Sequence, residues 1–228
     1  MKTRKRKEYI SNMSKLKSKI CIFGTGGFAK EVFCCALDML AIKERFAKEF
    51  LYFVVNDEYF KEDKVMGIPV IPLSRFDPAD ADMVVAVGDP LDRRRIVDAM
   101  PMGTTYATIV HPSAVLSPWV NLGEGSIVAA GVIITCNVEI GKHAHLNLHA
   151  TIGHDCVIGD FFTASPGVNV SGTCTVGDCV YLGTNSALKQ GLSICDHVTI
   201  GMGGVVLRNI SEQGVYVGSP VKQLGPSS

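Results

Sequence analysis

The stretch "LNLHATIGHDCVIGDFFT", residues 146–163, divides into three sixes that each open on an aliphatic residue. The same frame runs outward in both directions without insertion, from Val110 to Val205. The first letter of every block is aliphatic, and the fifth is mostly small or β-branched, as at Ala150, Cys156, Val168 and Val180. Gly often holds the second letter, as at Gly141, Gly153, Gly159 and Gly177. An amphipathic helix repeats every 3.6 residues and a half-buried strand every two, so neither yields this pattern. A parallel β-helix of triangular section does. Six residues make one side, eighteen make a coil, and each coil buries its sides only against its neighbours. The aliphatic letter is expected inside, the small letter near a corner, and the Gly where the chain turns.

The composition of the whole chain is that of an ordinary globular protein, 47% hydrophobic and 19% charged with zero formal net charge. That balance asks for no nucleic acid or acidic partner. Basic residues do crowd residues 1–18, "MKTRKRKEYISNMSKLKS". This arm reads as disordered and solvated, as a basic patch for a membrane or nucleic acid, or as a prelude to a start at Met13. No apolar core follows it, so it is not a secretory signal, and no stretch is long enough to span a membrane. The eight cysteines show no CxxC and read as small buried hydrophobes in a reducing cytoplasm.

Residues 19–105 have another texture. "KICIFGTGGFAKEV" reads as a buried strand, a Gly-rich turn and a helix start; "FLYFVVND" and "DMVVAVGD" read as further strands, and "PLDRRRIVDAM" as a helix. Strands alternating with helices predict a small Rossmann-like α/β layer. Gly24-x-Gly26-x-x-Ala29 outlines a nucleotide site, with phosphates at the start of a helix. Fewer than ninety residues leave no room for the second half of an NAD fold.

The sixteen sixes and the closing "GVYVGSPVKQL" resemble the hexapeptide-repeat acyltransferases. A short Rossmann-like domain before such a repeat is similar to the nucleotide-sugar N-acetyltransferases of the bacillosamine pathway and to sialic-acid O-acetyltransferases. The resemblance implies a left-handed parallel β-helix over residues 106–228, a cytoplasmic homotrimer, and acetyl-CoA bound in a groove between subunits, with no metal. It implies a UDP-sugar on the front domain, at Gly26, Gly27, Phe28, Asn56, Asp57, Val87, Gly88, Asp89 and Arg93. Phe28 and Asn56 depart from the family pattern, which has His and an acid there.

"GHDCVIG" matches the family's base motif, making His154 the general base and Asp155 its orienting acid, with Asn147 on the family's upstream Asn. Thr163, Gly172 and Thr184 fall where the family meets acetyl-CoA, Thr163 replacing a usual His. The chemistry asks for such a base: a sugar ammonium is not a nucleophile until it loses a proton, and histidine accepts one near neutrality. The other histidines compete weakly. His143 and His149 share a letter in consecutive blocks, lie on different sides and cannot converge on a metal within one chain. His143 and His197 read as solvated surface residues. The activity expected is acetyl-CoA-dependent N-acetylation of a UDP-linked 4-amino-4,6-dideoxy hexose for surface glycans. Sugar O-acetylation and a non-catalytic sugar-nucleotide-binding β-helix are the alternatives.

Overall fold

The computed structural model describes residues 19–225, so the basic arm lies outside it. The front domain is a five-stranded sheet of β1 (Lys19–Phe23), β2 (Leu51–Val55), β3 (Lys64–Val65), β4 (Ile68–Pro72) and β5 (Ala81–Val85). Its order is β3-β4-β2-β1-β5, parallel except for the edge hairpin β3–β4. That hairpin turns on Met66 and Gly67, both at positive φ, the backbone of a two-residue turn. Helices α1 (Gly27–Leu40) and α2 (Pro90–Asp98) complete the layer. Because β2 lies on one side of β1 and β5 on the other, the strand order reverses at the carboxyl end of β1. Ligands of open α/β sheets sit at such a reversal. The Gly24–Gly27 loop, Asn56–Asp57 and Val87–Gly88 all leave the sheet there.

From Ile109 the chain winds into the β-helix. Through the repeat, strands pair in parallel with the one eighteen residues on, as Ile133 does with Thr151, Glu139 with Val157 and His145 with Thr163; the closing strands Gly214–Gly218 and Val221–Gln223 pair antiparallel. Three sides result. The first starts at Ile109–Val110 and includes His145–Leu146 and Thr163–Ala164. The second starts at Val115–Leu116 and includes Thr151–Ile152; the third starts at Val120–Leu122 and includes Val157–Ile158. The first and fifth letters form one continuous core, with Ile152, Ala150, Cys156 and Val180 at 0% exposure. Where a leading letter shrinks to Ala164, the fifth letter before it grows to Phe162, and both are fully buried. Close packing requires that kind of exchange.

The corners differ from expectation. The turn is made at the fourth letter, not the second. Fourteen fourth letters in succession, from Gly125 to Gly203, have φ between 54° and 76°, nine of them non-glycine. The second-letter glycines serve close approach instead. A Cβ on Gly159 would stand 2.4 Å from Asp178 Oδ1 and 2.7 Å from the Gly177 carbonyl carbon. Asp160, Asp178 and Asp196 form a ladder through that space, each Oδ1 accepting a backbone N–H of the coil before at 2.7–2.8 Å.

The front domain packs on the first side. Ile127, His145 and Thr163, which point outward from three successive coils, are 2% exposed or less beneath it. His143 is 3% exposed rather than solvated. Its ring stacks on Phe161 at 5.1 Å and meets the edge of Tyr106 at 4.6 Å, because the segment joining the domains covers that corner. Five cysteines are buried as expected; Cys34 and Cys136 are exposed and Cys195 is intermediate.

Candidate active site

His154 and Asp155 occupy the corner between the second and third sides. Asp155 is the fourth letter, at φ 59°, a conformation Asp tolerates better than most residues. Its Oδ2 lies 2.7 Å from His154 Nδ1, and its Oδ1 accepts from Asn137 Nδ2 at 2.6 Å. Hydrogen bonds from Asn137 and then His154 hold its carboxyl below the ordinary range. It is therefore ionised at neutral pH and only accepts, so His154 Nδ1 is the donor, and in the neutral imidazole the lone pair is on Nε2. The side chain of His154 is half exposed, so the ring is accessible from solvent. Gly172, one coil on, makes room for the ring: a Cβ there would stand 2.6 Å from Cε1 and Nε2. Asn137 and Gly172 were not singled out for these roles from sequence, yet both lie one coil, eighteen residues, from the pair.

Other expected residues lie elsewhere on the coil. Asn147 is buried at the corner between the first and second sides, its Nδ2 donating to Ala164 O at 3.0 Å. Thr184 is at that same corner, across one side from Gly172. A single chain thus holds two groups of expected active-site residues, at opposite edges of the second side. Between α1 and the first coils lies a mainly apolar cavity of about 370 Å³, lined by Phe28, Cys34, His111, Ile127, Ala130 and Leu148 among others. It joins the Gly-rich loop to the Asn147 corner.

At the sheet edge, Gly24 takes φ 109° beside Ala86 O, which only glycine does without strain. Gly26 is the N-cap of α1 without a side-chain hydrogen bond, and the first turn holds no acid. A Cβ on Gly26 or Gly27 would meet nothing within 4 Å. These amides and the helix dipole are therefore open to an anion. Asp57 accepts from Ser74 N at 3.1 Å and from its hydroxyl, and those bonds lower its pKa. Asn56, Val87 and Gly88 are half-buried beside it along the edge.

Asp89, exposed, caps α2, its Oδ1 accepting from Leu91 N and Asp92 N at 2.9 Å. Two expected contacts are corrected. Arg93 is 0% exposed and so offers nothing to a sugar nucleotide. Thr163 is 2% exposed; its hydroxyl donates to Gly88 O at 3.0 Å and accepts from Arg93 at 2.9 Å, so it is turned into the junction between the domains. Both side chains lie in the junction between the two domains. Among the described residues, no group of three or more His, Cys, Asp or Glu could hold a metal, and no helix is long and apolar enough to cross a membrane.

The family model of the PglD N-terminal domain matches residues 19–100. The GDP-perosamine N-acetyltransferase of Escherichia coli is 29% identical over 175 residues, covering 75% of this chain and 78% of that one. PerB from Caulobacter crescentus, solved with CoA and GDP-perosamine, matches with a TM-score of 0.79 and 32% identity over 92% of this chain and 100% of its own. The acetyltransferase domain of PglB from Neisseria gonorrhoeae, solved with acetyl coenzyme A, matches with a TM-score of 0.81 and 29% identity over 91% of this chain and 100% of its own. Repeat, front domain and these full-length likenesses agree: the chain belongs to the hexapeptide-repeat β-helix sugar acyltransferases that carry a PglD-type N-terminal domain.

Proposed function

We propose that the protein transfers the acetyl group of acetyl-CoA to the amine of a nucleotide-linked amino-sugar, a 4-amino-4,6-dideoxy hexose. The observation that carries this reading is the His154–Asp155–Asn137 relay with Nε2 left free as a base. His154 takes a proton from the sugar ammonium, and the amine attacks the thioester carbon. As the tetrahedral intermediate collapses, the C–S bond breaks, the imidazolium gives its proton to the departing thiolate, and the extra proton still on the nitrogen leaves to solvent as the amide forms. Asp155 keeps the imidazole in the competent tautomer and stabilises its cation, as an acid does behind other catalytic histidines.

The nucleotide lies with its phosphates on the α1 N-terminus and its ribose near Asp57. The apolar cavity suits a deoxy-sugar, and UDP is the expected nucleotide. A GDP-linked substrate is the second reading, favoured by the GDP-perosamine bound to a relative that matches along its whole length. A homotrimer would join the two separated groups, bringing the His154 corner of one subunit to the Asn147 corner of the next. Exposed Val115 and Ile133 make the second side an apolar face suited to such contact.

The test is incubation with acetyl-CoA and a panel of UDP- and GDP-linked amino-sugars and hydroxyl-only analogues, read by mass spectrometry. His154→Ala should lower kcat about 10²–10⁴-fold, the range for loss of a positioned base. Asp155→Asn should cost less, because the imidazole remains. Exclusive acetylation of hydroxyls, or full activity in His154→Ala, would defeat the reading.

A further inference from the structure

Arg93 leaves α2 and ends in the junction between the domains, wholly buried. Its two terminal nitrogens divide the work. NH1 donates to Val87 O at 2.7 Å and Gly88 O at 3.1 Å, on the nucleotide edge, and lies 3.0 Å from His145 Nδ1. NH2 donates to Phe161 O at 2.7 Å, Phe162 O at 3.3 Å and Thr163 Oγ1 at 2.9 Å, all on the β-helix. Thr163 closes the circuit by donating to Gly88 O. None of these acceptors is a carboxylate. A buried cation served only by neutral acceptors is a poor way to gain stability, since well-packed apolar side chains commonly do as well. What a planar fork adds is direction, and a lysine, a single point donor on a flexible stem, cannot reproduce it.

We propose that Arg93 is a positioning residue. By tying the Val87–Gly88 edge to the first side of the β-helix, it fixes where the bound nucleotide delivers its amine relative to the acetyl-transfer corner. The proposal rests on the acetyl-transfer reading for its consequence, but its geometry stands apart from that reading. Neither half-site contains Arg93, so removing it should leave both halves able to bind and the reaction between them misaligned.

The variants are Arg93→Lys, Arg93→Met and the milder Thr163→Val, which removes two bonds that cross the junction, one to Gly88 O and one from Arg93. Misplacement by about 1 Å can cost about 10²-fold in rate. In folded Arg93→Lys, kcat should fall about 10–100-fold, while calorimetric Kd values for UDP or GDP and for CoA stay within about threefold of wild type. Thr163→Val should shift the same way by less, and carries the test alone if neither Arg93 variant folds. Hydrogen exchange should speed at the amides of residues 86–89 while the coils remain protected. Unchanged kcat, or a loss of nucleotide affinity as large as the loss of kcat, would overturn the positioning role. If wild type acetylates nothing in the panel, the activity reading fails by itself. The exchange arm then decides for Arg93: unaltered protection at residues 86–89 refutes the tie.

Discussion

Asp155 sits in a left-handed corner immediately after His154, and the hydrogen bond between these neighbours is possible because that corner turns the chain. The pair was legible in the sequence as a motif of adjacent letters. Asn137 and Gly172 were less so, because their link to the pair is a stacking distance of eighteen rather than a motif. Adding or subtracting eighteen from 154 and 155 would have found both. Arg93 differs again: only the resemblance puts it at the ligand, and the packing of one domain on the other, which buries its side chain, is not written in the motif. Gly172 gives the sharpest residue-level prediction. In Gly172→Ala the new methyl stands 2.6 Å from the His154 ring, so the imidazole must swing away from its Asp155 bond. We expect kcat to fall about 10²-fold, the lower bound for loss of a placed base, with the melting temperature little changed because the ring moves toward solvent. An active Gly172→Ala would mean that His154 works from another position.

At the scale of one corner, the sequence shows where glycine recurs but not why. Periodicity gave the number of sides, the inward letters and the length of a coil, because burial imposes those directly. It misassigned the turn, because nine of the fourteen turn residues are not glycine and so leave no compositional mark. The second letter is occupied by glycine for want of space, and the Asp ladder fills that space. Two substitutions separate these causes. Gly159→Ala drives a methyl into Asp178 and the backbone of the next coil, neither of which can yield without breaking the ladder. It should destabilise by about 2–3 kcal/mol, the upper part of the overpacking range. Gly191→Ala meets nothing within 4 Å and pays only for φ 76°, so it should cost about 1 kcal/mol. Urea unfolding of the two variants, side by side, checks this. Equal losses would mean that steric approach is not what selects the second-letter glycine.

Across the whole molecule, the two domains are joined through a layer that holds two histidines and one arginine out of water. Burial pushes the His143 pKa down to about 4 and, with the nearby Arg93 charge, pushes that of His145 well below its usual value. Unfolded, both titrate near the ordinary ~6.5. Between those values the unfolded chain binds more protons than the folded one. The stability these groups permit is therefore complete above about pH 6.5 and drains as pH falls, by up to ~1.4 kcal/mol per pH unit for each histidine. The carboxylates held low, Asp57 and Asp155, add to acid lability only below about pH 4, so the window from pH 6.5 to 4.5 belongs to the junction. His143→Phe keeps an aromatic ring between Tyr106 and Phe161 and removes one of the two titrating groups. Urea denaturation at pH 7.5, 6.0 and 5.0 should show wild type losing stability steeply and His143→Phe losing it at roughly half the slope. Parallel pH profiles would show that His143 does not titrate on unfolding. A steep loss should also appear as early exposure of residues 86–89 and 161–163, because the protons enter at the surface that ties the nucleotide edge to the coil.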